Sequence, residues 1–214
     1  MAKNNVLIFG DSYSTFESYI PEGNATYYSE KPRPKTDVTQ PQQTWWHQVI
    51  TEINGNVILN DSWSGSTIGY TGWNGVDNSA ASSFIFRLRQ LIKKGFFTEN
   101  KIDTVFVFGG TNDSWSNAPL GQEICSGWEE KDLYFVLPAI WNFLDLLKNA
   151  LPDAKIYCLI NNEIKDEIVS CIKNACDKYA MIPITFDHID KNYGHPTIAG
   201  MKDIAVTVLN ILNP

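Results

Sequence analysis

The stretch "NNVLIFGDSYS" (Asn4–Ser14) decides how this chain is read. Its apolar run, Val6–Phe9, is too short for a helix and fits a strand buried on both faces. Gly-Asp-Ser then breaks the run with turn chemistry. The same order is written twice more. "NDSWSGS" (Asn60–Ser66) follows the apolar run Val57–Leu59, and "NDSWS" (Asn112–Ser116) follows Thr104–Phe108 and a Gly-Gly pair. Nothing else recurs at that period, so a tandem repeat is a poor explanation. Three strand ends that meet at one place explain it better.

Two further apolar runs, Lys155–Ile160 and Ile182–Phe186, bring the expected strands to five. Helical patterns lie between them. Ala81, Phe84, Ile85, Leu88, Leu91 and Ile92 share one face at 3.6-residue spacing. Ile164, Ile168, Ile172, Ala175 and Tyr179 do the same, as do Ile198, Met201, Ala205, Val208 and Leu212. "TWWHQVITEI" and "DLYFVLPAIWNFLDLLKNAL" supply two more helices, the second starting close to Pro138. Strands alternating with helices predict a single α/β domain over 1–214, a three-layer α/β/α sandwich on a five-stranded parallel sheet. A flavodoxin-like strand order would put the first strand between the second and third and gather the three turns at one crevice. The segment 13–43 has no periodicity and is rich in Pro, Tyr and Ser. Loops of that length are uncommon, so it reads as a wall or lid over the first turn.

Composition excludes several classes. With 43% apolar and 19% charged residues the chain can bury a core and is not disordered. A net charge of −7, with no basic cluster beyond "KPRPK", argues against nucleic acid or an anionic membrane as partner. No run of apolar residues is long enough to span a bilayer. The N-terminal residues pass straight into the first strand without a leader pattern, which predicts a cytoplasmic protein; a processed secreted form would read identically. Cys125, Cys158, Cys171 and Cys176 lack metal-site spacing and are expected to be buried, reduced thiols.

Chemistry gives the turns a purpose. A serine hydroxyl needs a base to attack an ester near neutral pH, and the oxyanion formed needs preorganised N–H donors. Gly65 lets a backbone N–H lie open, and Asn112 offers a side-chain amide at the third strand end. Among His47, His188 and His195, the last sits in a Gly-His-Pro turn before the final helix, from which a loop can reach the strand ends.

Together these blocks resemble the SGNH hydrolases, also called GDSL-type lipases and acylhydrolases. "GDSYS" resembles the family's nucleophile block, "NDSWSG" its second, "GGTND" its third and "GHP" its fifth, in the family's order from Val6 to Gly200. The resemblance implies Ser12 as nucleophile and His195 as general base. It also implies an oxyanion hole from the Ser12 and Gly65 N–H groups with the Asn112 amide, and neither metal nor organic cofactor. The family's aspartate, three residues before the histidine, is Asn192 here. Asp190, Asn192 or a backbone carbonyl could orient the ring instead, and Asp190 is favoured over these and over Asp187. Trp63, Trp73 and Trp115 follow the blocks directly and suit a sugar ring or acyl group, so an O-acetylated carbohydrate is the favoured substrate. Two other classes compete. One is metal-dependent hydrolysis on Asp11, Asp61, Asp113 and His195; the other is an inactive module that only binds acylated sugars.

Overall fold

A computed structural model describes residues 3–212, so the outermost residues of the expected 1–214 domain lie outside the described residues. Five strands form one sheet: β1 (Asn4–Gly10), β2 (Gly55–Ser62), β3 (Thr104–Phe108), β4 (Lys155–Ile160) and β5 (Ile182–Thr185). Their order is β2-β1-β3-β4-β5 and every pairing is parallel. The chain is therefore an α/β sandwich in which β1 lies between β2 and β3. All three Asp-Ser phrases sit at or just past the carboxyl ends of those strands.

Strand alternation builds the two faces. On β1, Leu7 and Phe9 enter one apolar cluster while Val6 and Ile8 enter the other. The first cluster takes α2 (Phe84–Lys93), α5 (Val136–Ala150) and α6 (Asp166–Tyr179). The second takes α1 (Trp45–Glu52) and α7 (Ile198–Leu212). Helix starts follow local chemistry. The Thr44 hydroxyl accepts from the His47 N–H, and the Ser83 hydroxyl accepts from the Phe86 N–H, each satisfying a first-turn donor. Pro138 stands in the first turn of α5, where its missing N–H costs nothing. Burying a side chain such as Phe9 stabilises the fold by about 2 kcal/mol, and the sheet is covered on both sides by such residues. The result is a rigid floor beneath the turns.

Three features were not expected. Two short helices, α3 (Phe96–Glu99) and α4 (Thr111–Trp115), add to the pattern, and α4 turns the third Asp-Ser phrase into a helical turn. A small antiparallel hairpin joins β6 (Lys191–Asn192) to β7 (His195–Pro196). The segment 13–43 is anchored rather than loose: Tyr13, Phe16, Tyr28 and Val38 are fully buried in the α1/α7 cluster. The thiols need one correction. Cys158, Cys171 and Cys176 are buried, but Cys125 is exposed, because it lies in an irregular loop; all four are free. Among the described residues no helix is long and apolar enough to cross a membrane.

Candidate active site

Ser12 opens a short 3-10 turn (Ser12–Ser14) directly past β1, and the Asp11 carboxylate caps that turn by accepting from the Tyr13 N–H at 3.0 Å. Ser12 is 4% exposed, and its Oγ lies 3.0 Å from His195 Nε2. The hairpin delivers that imidazole. Both residues of its loop have positive φ, Tyr193 at 49° and Gly194 at 77°, the pattern of a tight primed turn. The Tyr13 hydroxyl donates to the Gly194 carbonyl at 2.6 Å, and the Tyr28 hydroxyl donates to the Pro196 carbonyl at 2.9 Å. Two phenols from the first loop thus hold the histidine turn on either side of His195.

His195 Nδ1 lies 3.1 Å from the Tyr193 carbonyl, which can only accept. That bond assigns the proton to Nδ1 and leaves the Nε2 lone pair facing the Ser12 hydroxyl. The expectation that Asp190 orients the ring is corrected here. The Asp190 carboxylate accepts from the Thr197 hydroxyl, and its backbone carbonyl accepts from the Thr197 N–H, so it secures the entry to α7. Asn192 is exposed and pairs with His195 across the hairpin through the backbone. Asp187 and His188 are exposed in a separate shallow surface pocket. Burial pushes the imidazole pKa below the ordinary histidine value; the Tyr193 carbonyl opposes this, and the Lys191 charge adds to it.

The three turns are tied to one another. The Trp63 N–H donates to the Gly10 carbonyl at 3.1 Å, and Asn112 Nδ2 donates to the Ser66 carbonyl at 3.0 Å. Trp73 Nε1 donates to Asn112 Oδ1 at 3.2 Å, which fixes the amide with its NH₂ on the Ser66 side. Gly65 has φ +83°, which favours glycine, and its N–H meets no acceptor among the described residues. Beneath the turns lies Arg87 of α2, 6% exposed. Its guanidinium pairs with Asp61 Oδ1 at 3.2 Å and donates to the Asp61 carbonyl. It also reaches the Gly10 carbonyl and Ser66 Oγ, each at 3.3 Å.

The other acidic residues have structural partners. Asp113 accepts from the Ile68 and Gly69 N–H groups, and burial pushes its pKa up to about 6. Burial raises Asp11 further, to about 7, and its Oδ2 has no hydrogen-bond partner among the described residues. Among the described residues no three His, Cys, Asp or Glu side chains gather to hold a metal, so the candidate ligand set is not assembled. Of the tryptophans, Trp115 sets its ring edge-on to His195 at 6.2 Å between centroids. Trp73 is 42% exposed above Asn112, and Trp63 is half-buried.

Sequence reasoning passed over Tyr27 and Arg87. Tyr27 stacks flat on His195, with centroids 3.5 Å apart and planes 4° from parallel, yet it comes from a stretch with no periodicity to single it out. Arg87 did carry a signal: three residues after Phe84, it occupies the face of α2 that faces the core.

A sequence profile of GDSL-like lipases and acylhydrolases matches residues 4–212. The chain belongs to this family. A crystal structure assigned as a GDSL-like lipase from Bacteroides ovatus ATCC 8483 shares 39% identity, with a TM-score of 0.91 over 99% of both chains. A second, from Bacteroides uniformis ATCC 8492, shares 37% identity at TM-score 0.90, over 99% of this chain and 96% of that one. An acetyl xylan esterase from Butyrivibrio proteoclasticus shares the fold at 15% identity and TM-score 0.61, over 99% of this chain and 64% of that one. No curated protein matches the chain. As a member of the GDSL-like family it is an ester-hydrolysing enzyme of the α/β class.

Proposed function

We propose that this GDSL-like enzyme cleaves short-chain carboxylic esters through an acyl-enzyme on Ser12, with His195 as the general base. The 3.0 Å approach of Ser12 Oγ to His195 Nε2 carries the reading. Ser12 Oγ bonds to the acyl carbon while its proton passes to Nε2. The Ser12 and Gly65 N–H groups and the Asn112 amide receive the oxyanion. The imidazolium then protonates the departing alcohol, and a water, deprotonated by the same nitrogen, releases the acid and restores the serine. With Asp190 engaged at Thr197, the Tyr193 carbonyl orients the ring, so the site works as a dyad. Covalent labelling with a fluorophosphonate tests the nucleophile. Wild type is expected to take up one label, and equal labelling of Ser12→Ala would overturn the assignment.

Two further outcomes follow from the same geometry. Asn112→Ala removes one oxyanion donor and is expected to lower kcat by about 10²–10³; a loss below about threefold in steady-state assays would remove Asn112 from the hole. The base must be neutral to act, and burial holds His195 below its ordinary value. The acid limb of kcat/KM is therefore expected to have its midpoint below pH 6.5. A midpoint above that would mean that another group titrates.

For substrate, the exposed aromatic rim supports an O-acetylated carbohydrate: Trp73 is 42% and Tyr193 70% exposed beside the dyad. Flat aromatic faces bind sugar rings through their apolar sides. The acetyl xylan esterase from Butyrivibrio proteoclasticus uses the same fold for such a substrate. Acetylated xylo- and cello-oligosaccharides compared with p-nitrophenyl esters of rising chain length test this reading, with the sugar acetates expected to give the higher kcat/KM.

A further inference from the structure

A serine–histidine pair without a carboxylate has two needs that a third group ordinarily meets. The imidazole must be held in one plane, and the positive charge that appears on it must be stabilised. The Tyr193 carbonyl meets the first in part, because it fixes Nδ1. A neutral carbonyl contributes less to the second than a carboxylate does.

Among the described residues three aromatic rings lie against His195. Tyr27 stacks at 3.5 Å with planes 4° from parallel, Tyr13 lies tilted at 5.7 Å, and Trp115 stands edge-on at 6.2 Å. Only Tyr27 presents the full face of its ring, where the quadrupole is negative. Its backbone is fixed on both sides. The Tyr27 N–H donates to Thr15 Oγ1 at 2.9 Å, and Arg33 Nη1 donates to the Tyr27 carbonyl at 3.0 Å. Buried Tyr28, next in the chain, packs edge-on against the Tyr27 ring at 4.9 Å and bonds the carbonyl of Pro196. The 13–43 segment therefore carries the Tyr27 ring on an anchor tied to the same hairpin that carries His195.

We propose that Tyr27 is a positioning residue for His195: its ring face holds the imidazole plane and stabilises the imidazolium, taking over part of the role that a carboxylate has in a triad. The inference rests on the dyad reading above. The charged and titratable groups around the pair are few. The Lys191 charge on β6 acts on His195 from over the Tyr13 ring, 6.0 Å from its centroid, and its ammonium is held by Asn161, Asn162 and Glu163 at 2.8–2.9 Å. The Tyr13 phenol lies below, and Arg33 sits behind Tyr27. Lys191 opposes the imidazolium and the Tyr193 carbonyl favours it, so the ring face adds to what that carbonyl supplies.

The test compares wild type, Tyr27→Phe and a variant carrying pentafluorophenylalanine at position 27. Fluorination reverses the ring quadrupole at nearly constant shape. His195 is titrated by NMR, its signal assigned by its absence in His195→Gln. Tyr27→Phe is expected to match wild type in both His195 pKa and kcat, since the face is kept. Pentafluorophenylalanine is expected to lower that pKa by roughly 0.5–1.5, and kcat by about 3- to 30-fold with KM unchanged. Equal pKa and kcat for the two rings would overturn the proposal, as would a Tyr27→Phe loss as large as that of the fluorinated ring. Failure of the dyad reading would show separately, as turnover that survives in Ser12→Ala while the titration still reports the stack.

Discussion

Ser12→Ala is expected to lower kcat by about 10⁴–10⁶ while leaving the fold intact. The size follows from what the hydroxyl does. In the proposed mechanism it forms the covalent intermediate, and among the described residues the one side-chain hydrogen-bond partner of His195 Nε2 is Ser12 Oγ. The neighbouring serines are committed elsewhere. Ser62 Oγ donates to Asn60 Oδ1, Ser14 Oγ accepts from Trp45 Nε1, and Ser66 Oγ accepts from Arg87. Residual activity is expected from the oxyanion donors and from substrate binding alone, so kcat falls far while KM changes little. Steady-state assays on p-nitrophenyl acetate check this, with thermal unfolding alongside. A loss under tenfold, with the variant folded, would move the chemistry away from Ser12.

Much of this was legible before any coordinates. Buried parallel strands follow from short continuous apolar runs and amphipathic helices from a period of 3.6, and these residues obey both. Thr104–Phe108 and Lys155–Ile160 were delimited to the residue. The site was legible where one residue type has one chemical use, as with Ser12 and His195. It was illegible where the role depends on contacts distant in sequence. The hairpin that aims His195 is two residues long on each side, too short for any alternation, and its turn places Tyr193, a bulky residue, at positive φ. Asp190 looked suitable because a carboxylate near a catalytic histidine ordinarily orients it. Its distance from Thr197 along the chain gave no sign that the hydroxyl would claim it. Tyr27 reaches His195 across 168 residues of sequence; this is a pairing that spacing cannot reveal.

Arg87→Met is expected to be the most destabilising single change behind the site. Arg87 and Asp61 are 6% and 5% exposed, and burial alone lowers the guanidinium's affinity for its proton, which pairing with Asp61 restores in part. The guanidinium joins the end of β1 at the Gly10 carbonyl, the end of β2 at Asp61, and the Gly65–Ser66 turn at Ser66 Oγ. It lies over the ring of Phe84 on its own helix, 4.6 Å from the centroid, and 5.9 Å from that of Phe9 on β1, so its removal also loses a contact between α2 and the sheet. Methionine fills much of the volume but leaves the Asp61 carboxylate buried and unpaired. Breaking such a pair from one side costs about 3–5 kcal/mol, and for a chain of this size that lowers Tm by roughly 6–20 °C. The double variant Arg87→Met with Asp61→Asn removes both charges and is expected to recover part of the loss, because the uncompensated carboxylate is then gone. Activity separates two roles. If Arg87 sets the spacing of the turns, the folded single variant loses kcat at temperatures well below its Tm, and the double variant regains stability more fully than turnover. Unfolding curves of the double variant no better than those of the single would show that the ion pair is not what ties α2 to the three turns.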